Sequence, residues 1–172
     1  MVNAAVAAIV FAAAVLQVSL FSSLDVLGGT ADVLLLSLLA LALLRGAVTG
    51  ALAGFFGGLL VDVMTLDTLG VTALLYSLAG YWVGRYGETT GRDRAHAPLL
   101  AVLVITIAVA VAGFGIHFLL GEEVSVRRAL YETLLPTLGL NLLLGAPVYA
   151  LCRGVLRRAT PSERVAEVRL LG

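Results

Sequence analysis

Six apolar runs dominate this chain, and every charged residue falls between or beyond them. The runs are Ala4 to Phe21, Val33 to Leu44, Ala47 to Val61, Leu69 to Val83, Pro98 to Leu120 and Leu134 to Cys152. A helix that crosses a bilayer needs roughly 20 apolar residues. No run alternates apolar with polar at period two, as a membrane barrel strand must. The pattern therefore predicts an all-α polytopic membrane protein with six transmembrane helices. The 172 residues divide into one six-helix domain, 1–158, and a tail, 159–172, with no room for a sizeable soluble domain.

Composition agrees. The chain is 60% hydrophobic and 13% charged, against about 25% charged for an ordinary soluble domain. That excludes a disordered chain and a nucleic-acid binder with a basic surface, and argues against a soluble enzyme. The lone Cys152 allows no internal disulfide. The first run lacks a preceding Arg and exceeds a signal-peptide core of about 7–15 residues, so it reads as a retained helix. The second run is short. Either it extends back through Gly28 and Gly29, or its neighbours accommodate a short helix. Pro98 suits the first turn of the fifth span.

Six spans put both termini on one side. That side carries Arg45, Arg85, Arg92, Arg94, Arg153, Arg157, Arg158, Arg164 and Arg169, nine of the 11 basic residues, and the other side only Arg127 and Arg128. The positive-inside rule makes the arginine side cytoplasmic. The outer rim is acidic, with Asp25, Asp32, Asp62, Asp67, Glu122, Glu123 and Glu132. The basic tail reads as a stop-transfer flank that meets anionic lipid heads.

The sharpest local pattern is in span three. Gly46, Gly50, Gly54 and Gly58 recur every four residues, and Asp62 continues the series. That spacing puts them on one helix face, where small residues let another backbone approach. Gly80 and Gly84 form a second pair in span four. The face serves either packing within one bundle, with spans three and four in contact, or a dimer or partner interface. Ala4, Ala8 and Ala12 repeat the spacing in span one as a helix-docking candidate.

Polar groups inside a membrane are site candidates by default. They are Gln17, Ser19, Asp62, Thr72, Ser77, Thr106, His117 and Asn141. Asp62 closes span three, where the helix dipole disfavours a negative charge. The expected compensation is a hydroxyl of Thr65 or Thr68, or an Arg of the outer loop. Asp32 and Asp67 are read as caps of spans two and four. His117 reads as an interfacial side chain bonded to a neighbour. Asn141 lies between Pro136 and Pro147 and is expected to re-satisfy carbonyls that proline frees. No metal-ligand cluster, phosphate loop or nucleophilic triad is present in the sequence, so no enzyme activity, metal or cofactor is expected.

Taken in order, these motifs resemble the bacterial rod shape-determining protein family MreD. The resemblance rests on Arg45-Gly46, on Gly50 through Phe55 and Gly58 to Asp62, and on Leu69-Gly70 through Tyr76 to Gly80 and Gly84-Arg85. Gln17 and the Pro136, Asn141, Pro147 series add to it. Ala31 stands where the family commonly has proline, and the tail beyond Arg158 has no counterpart. The resemblance implies a non-catalytic protein of the bacterial cytoplasmic membrane that binds MreC. It also implies a shared complex with MreB filaments, RodA and a class B penicillin-binding protein, and a fold like the substrate-binding subunit of energy-coupling-factor transporters. Candidate interface residues are Gly50, Gly54, Phe55, Gly58, Asp62, Gly70, Gly80, Gly84, Ala4, Ala8 and Ala12, with Gln17 and Asn141 as intramembrane polar candidates. A homodimer is a further possibility. The alternative is a vitamin- or metal-binding transporter subunit. It would need a polar cavity near the outer surface, and the one Trp, Trp82, lies at the other end.

Overall fold

The computed structural model describes residues 2–20, 28–90, 97–119, 121 and 133–159. Asp25, Arg92, Arg94, Glu122, Glu123, Arg127, Arg128, Glu132, Arg164, Arg169 and the tail from residue 160 lie outside them, as does the side chain of His117. Among the described residues there are six helices: α1 (Val2–Ser19), α2 (Val33–Arg45), α3 (Ala47–Thr65), α4 (Val71–Thr90), α5 (Ala97–Leu119) and α6 (Leu135–Ala159). Four of them, α1, α3, α5 and α6, are long and apolar enough to cross a membrane. α4 is 20 residues long, but Arg85 and Glu88 sit in its last turns.

α2 is the centre of the molecule. It has 13 residues, about 20 Å at 1.5 Å per residue, short of a hydrocarbon core of about 30 Å. It does not extend back through Gly28 and Gly29, because the helix begins only at Val33. Every residue from Leu34 to Leu43 is buried. A helix apolar on all sides belongs inside a bundle, and α2 packs against all five others. Enclosure is what allows the short helix, since non-helical backbone at membrane depth is tolerated where protein covers it.

Contacts set the directions. Leu38 lies against Gly80 and Leu43 against Gly87, so α4 runs parallel to α2. Leu36 approaches Gly145, and Asp32 bonds Asn141, so α6 runs parallel as well. α1, α3 and α5 run the other way. Gly46, at φ 96°, makes the turn between α2 and α3.

The α3–α4 pair is the tightest in the bundle. A Cβ added at Gly50 would lie 2.5 Å from the carbonyl oxygen of Gly80. At Gly54 it would collide with the Tyr76 carbonyl, and at Gly58 it would lie 2.6 Å from Ala73 Cα. At Gly84 it would collide with Ala47. Moving four residues up one helix moves four residues down the other. The glycine face of α3 is thus occupied inside this chain by the glycine face of α4.

Pro98 and Pro136 fall in the first turns of α5 and α6, where a missing N–H costs nothing. Pro147 sits inside α6, and the helix continues past it to Ala159.

Candidate functional site

Two clusters of intramembrane polar groups lie at the end of the bundle opposite Arg45. The first holds the non-helical segment that leads into α2. The Gln17 amide straddles this segment. Its Nε2 donates to the Ala31 carbonyl at 3.2 Å, and its Oε1 accepts from the Val33 N–H at 2.8 Å. Asn141 approaches from α6, where its Oδ1 accepts from the Asp32 N–H at 2.8 Å and its Nδ2 donates to Thr106 Oγ1 on α5 at 3.2 Å. The Thr137 hydroxyl accepts from the Thr30 N–H at 3.3 Å. Asp32 caps α2, with Oδ1 accepting from the Leu35 N–H at 2.9 Å, and its Oδ2 accepts from the Tyr76 hydroxyl of α4. At Gly29 an added Cβ would lie 2.5 Å from the Thr137 nitrogen, so the strand of backbone presses directly on α6.

This clasp corrects the expectation for Asn141. It does not serve carbonyls freed by Pro136 and Pro147. It satisfies a backbone N–H on a different part of the chain, with no solvent access. The reason is local. Residues 28–32 are not helical, so their backbone groups have no partners one turn away, and in a membrane each unpaired group is costly. Gln17 of α1 and Thr137 and Asn141 of α6 supply what water cannot, while Tyr76 of α4 bonds the Asp32 carboxylate and Thr106 of α5 bonds Asn141.

The second cluster centres on Asp62, which is 1% exposed. Its Oδ2 accepts from the Gly70 N–H at 2.7 Å and the Ala73 N–H at 3.3 Å. Asp62 therefore caps α4 from a neighbouring helix. This corrects three expectations. The Thr65 hydroxyl donates to its own helix at Val61, 2.9 Å away. Thr68 gives its N–H to Asp67 at 2.7 Å. Asp67 thus braces its own turn, and the cap of α4 that it was expected to form is Asp62. The unfavourable dipole at the end of α3 is met by the favourable dipole at the start of α4. Gly70, at φ 95°, supplies the turn that aims its N–H at the carboxylate. Asp62 Oδ1 is buried and has no hydrogen-bond partner.

A mirror arrangement closes the far end of the same pair. Glu88, on α4, accepts from the Ala47 N–H at the start of α3 at 2.9 Å, and also pairs with Arg85 at 3.3 Å. Each helix of the hairpin therefore supplies a carboxylate to the other's N-terminus.

The remaining candidates are dispersed. Ala4, Ala8 and Ala12 are exposed, and α1 buries Val10, Ala13 and Ala14 instead. Phe55 points outward and meets Phe56 edge-on, with ring centres 5.4 Å apart. Between α1 and α3 runs a groove of about 530 Å³, lined mainly by apolar side chains and walled by Phe11 and Phe56, with Asn3 and Thr49 among its lining. This is not the polar cavity that a vitamin or metal carrier requires.

The sequence placed Tyr76 in a motif without giving it a role, and passed over Thr137 and Glu88. Tyr76 was findable. Aligning Gly50 with Gly80 in an antiparallel pair sets Gly54 opposite residue 76, on the helix face nearest α2. Thr137 and Glu88 carried no signal, because their partners lie 107 and 41 residues away.

Chemically, the clasp has little to offer a substrate. Gln17 and Asn141 each use both ends of their amides, and both oxygens of Asp32 are engaged. Among the described residues no group of three or more His, Cys, Asp or Glu could hold a metal ion.

No curated protein and no solved structure matches this chain, so nothing supports the likeness to transporter subunits. A family model described as rod shape-determining protein MreD matches residues 2–158, through all six helices and both polar clusters. On that match, the chain belongs to the MreD family of rod shape-determining proteins.

Proposed function

We propose that this protein is a non-catalytic scaffold of the cell-elongation complex in the bacterial cytoplasmic membrane. In this reading all six helices count as spans, the arginine-bearing end faces the cytoplasm, and both termini lie on that side. It binds MreC and helps couple MreB filaments to RodA and a class B penicillin-binding protein. Rod shape determination follows from the family itself. The finer assignment draws on what the resemblance implies and on the surfaces left open.

One observation carries the choice of docking face. The glycine motif of α3 is spent on α4, so it has no backbone left to offer a partner. The small face of α1 is exposed. Alanines four residues apart let a second helix come close, and helix association in lipid depends on such close packing. The groove walled by Phe11 and Phe56, lined on α1 by Asn3, Val6, Ala7, Val10 and Phe11, adjoins that face. We assign the membrane helix of MreC to it.

Co-purification in mild detergent with an MreC homologue of the same genome tests this. Wild type is expected to hold the complex. Ala8→Leu is expected to lose it with unchanged thermal stability, because Ala8 is exposed. Failure of wild type to capture MreC would overturn the scaffold reading. Capture by Ala8→Leu at wild-type level would move the interface elsewhere.

A further inference from the structure

All five described arginines sit at one end of the bundle, because α2, α4 and α6 run parallel and each carries its arginines toward its C-terminal end. Among the described residues one ion pair forms, and it consumes Arg85 with Glu88. Arg45, Arg153, Arg157 and Arg158 are exposed and take no part in it. From this we infer that the last turns of α6 hold an anionic phospholipid, its phosphate between the arginines and an acyl chain along the outward face above them.

The register of α6 builds the site. The helix buries Asn141, Gly145, Cys152 and Leu156 on one side. At about 100° per residue, Gly154 points to the opposite side. Arg153 and Arg157 flank it on one hand and Arg158 on the other. A Cβ at Gly154 would meet nothing within 4 Å, so the backbone between the guanidinia is open. Guanidinium forks match phosphate oxygens in pairs. Directly above, Leu143, Pro147 and Leu151 are exposed on the same side.

Depth agrees. α6 has 25 residues, about 37 Å at 1.5 Å each, so it outruns a hydrocarbon core of about 30 Å by a turn or more. With Leu135 near one boundary, the other falls close to residue 155. Arg157 and Arg158 then stand at headgroup level, and Arg153 reaches it by extending along the helix. The ligand must therefore be amphipathic. An acidic soluble protein would match the arginines and leave the apolar track unused.

Native mass spectrometry of the full chain, titrated with phosphatidylglycerol, phosphatidylcholine or inorganic phosphate, tests this against the triple variant Arg153→Gln, Arg157→Gln, Arg158→Gln. Each arginine near an anionic surface is worth several-fold in affinity, so the variant should bind phosphatidylglycerol about a hundredfold more weakly. Phosphatidylcholine and phosphate should bind wild type weakly. All three residues are exposed, so thermal unfolding of the variant without added lipid should match wild type. Equal binding of the two lipids, or unchanged phosphatidylglycerol binding by the triple variant, overturns the site. Phosphate binding as tight as the lipid's overturns the acyl track. Failure of MreC capture leaves this result untouched, since the groove by α1 is a different surface.

Discussion

The α3–α4 hairpin and the entry to α2 solve the same problem by opposite means. Each must hold backbone firmly inside a solvent that supplies neither hydrogen bonds nor a hydrophobic drive between helices. The hairpin is helical on both sides, so its interior backbone is already satisfied. It needs only proximity, and Gly50, Gly54, Gly58, Gly80 and Gly84 provide that by having no side chain. The entry to α2 is not helical. It needs partners, and Gln17, Asn141, Thr137 and Tyr76 provide them, directly or through Asp32. Where the backbone is regular, a membrane protein spends small residues. Where it is irregular, it spends polar ones.

The largest expected effect lies in the hairpin. Gly54→Ala drives a methyl into the Tyr76 backbone, which cannot move without separating the two helices. A loss of about 3 kcal/mol is expected, at the top of the range for overpacking. Gly57→Ala, three residues on, meets the side-chain ends of Val10 at 3.0 Å and Leu34 at 3.1 Å. Those ends can rotate, and the cost should stay under about 1 kcal/mol. Thermal unfolding in detergent compares the two. Equal losses would mean that helix propensity, not backbone approach, sets the role of glycine here.

The clasp comes next. Asn141→Leu strands the Asp32 N–H and removes the donor to Thr106 Oγ1, with an expected cost of about 2 kcal/mol. Gln17→Leu strands two backbone groups on the other side of the same segment and should behave alike. Hydrogen exchange at Asp32 and Val33 should rise in the respective variants. Unchanged protection would show that the segment is held by packing alone.

A smaller effect is expected at the caps. Asp62→Ala removes the acceptor of two N–H groups at the start of α4 and should cost about 1 kcal/mol, the usual value of a lost cap. Asp67→Ala loses only a bond to the adjacent Thr68 N–H, on an exposed turn. It should stay within about 0.5 kcal/mol. If the order reverses, the cap of α4 belongs to Asp67 after all. Double replacement of Asp62 and Glu88 by alanine should be additive, because their sites lie at opposite ends of the hairpin.

The two regions also differ in how far they could be read in advance. A repeat every four residues is a local signal, and its meaning for a helix face follows from geometry alone. Asp62 was legible as a member of that series and therefore as a residue on the α4-facing side. Its partner was not. The search for a hydroxyl or an arginine overlooked backbone N–H groups, which every helix start carries regardless of sequence. Gln17 and Asn141 stood out as polar residues in apolar runs. Nothing near either one named the segment it would hold, since Asn141 and Asp32 are 109 positions apart.

By itself, the sequence determined that the chain is helical and suited to a membrane, which end gathers arginine, and which faces of α3 and α4 are small enough to touch. These follow from composition, from charge placement and from helical periodicity, all of which act over a few residues. The tertiary structure alone decided that the shortest apolar run is the buried centre, that its entry is unwound and clasped by distant side chains, and that the small face of α1 stays open while that of α3 is consumed. These depend on which helices become neighbours. In a bundle where nearly every surface is apolar, hydropathy cannot rank one pairing above another; backbone contact and a few long-range hydrogen bonds do.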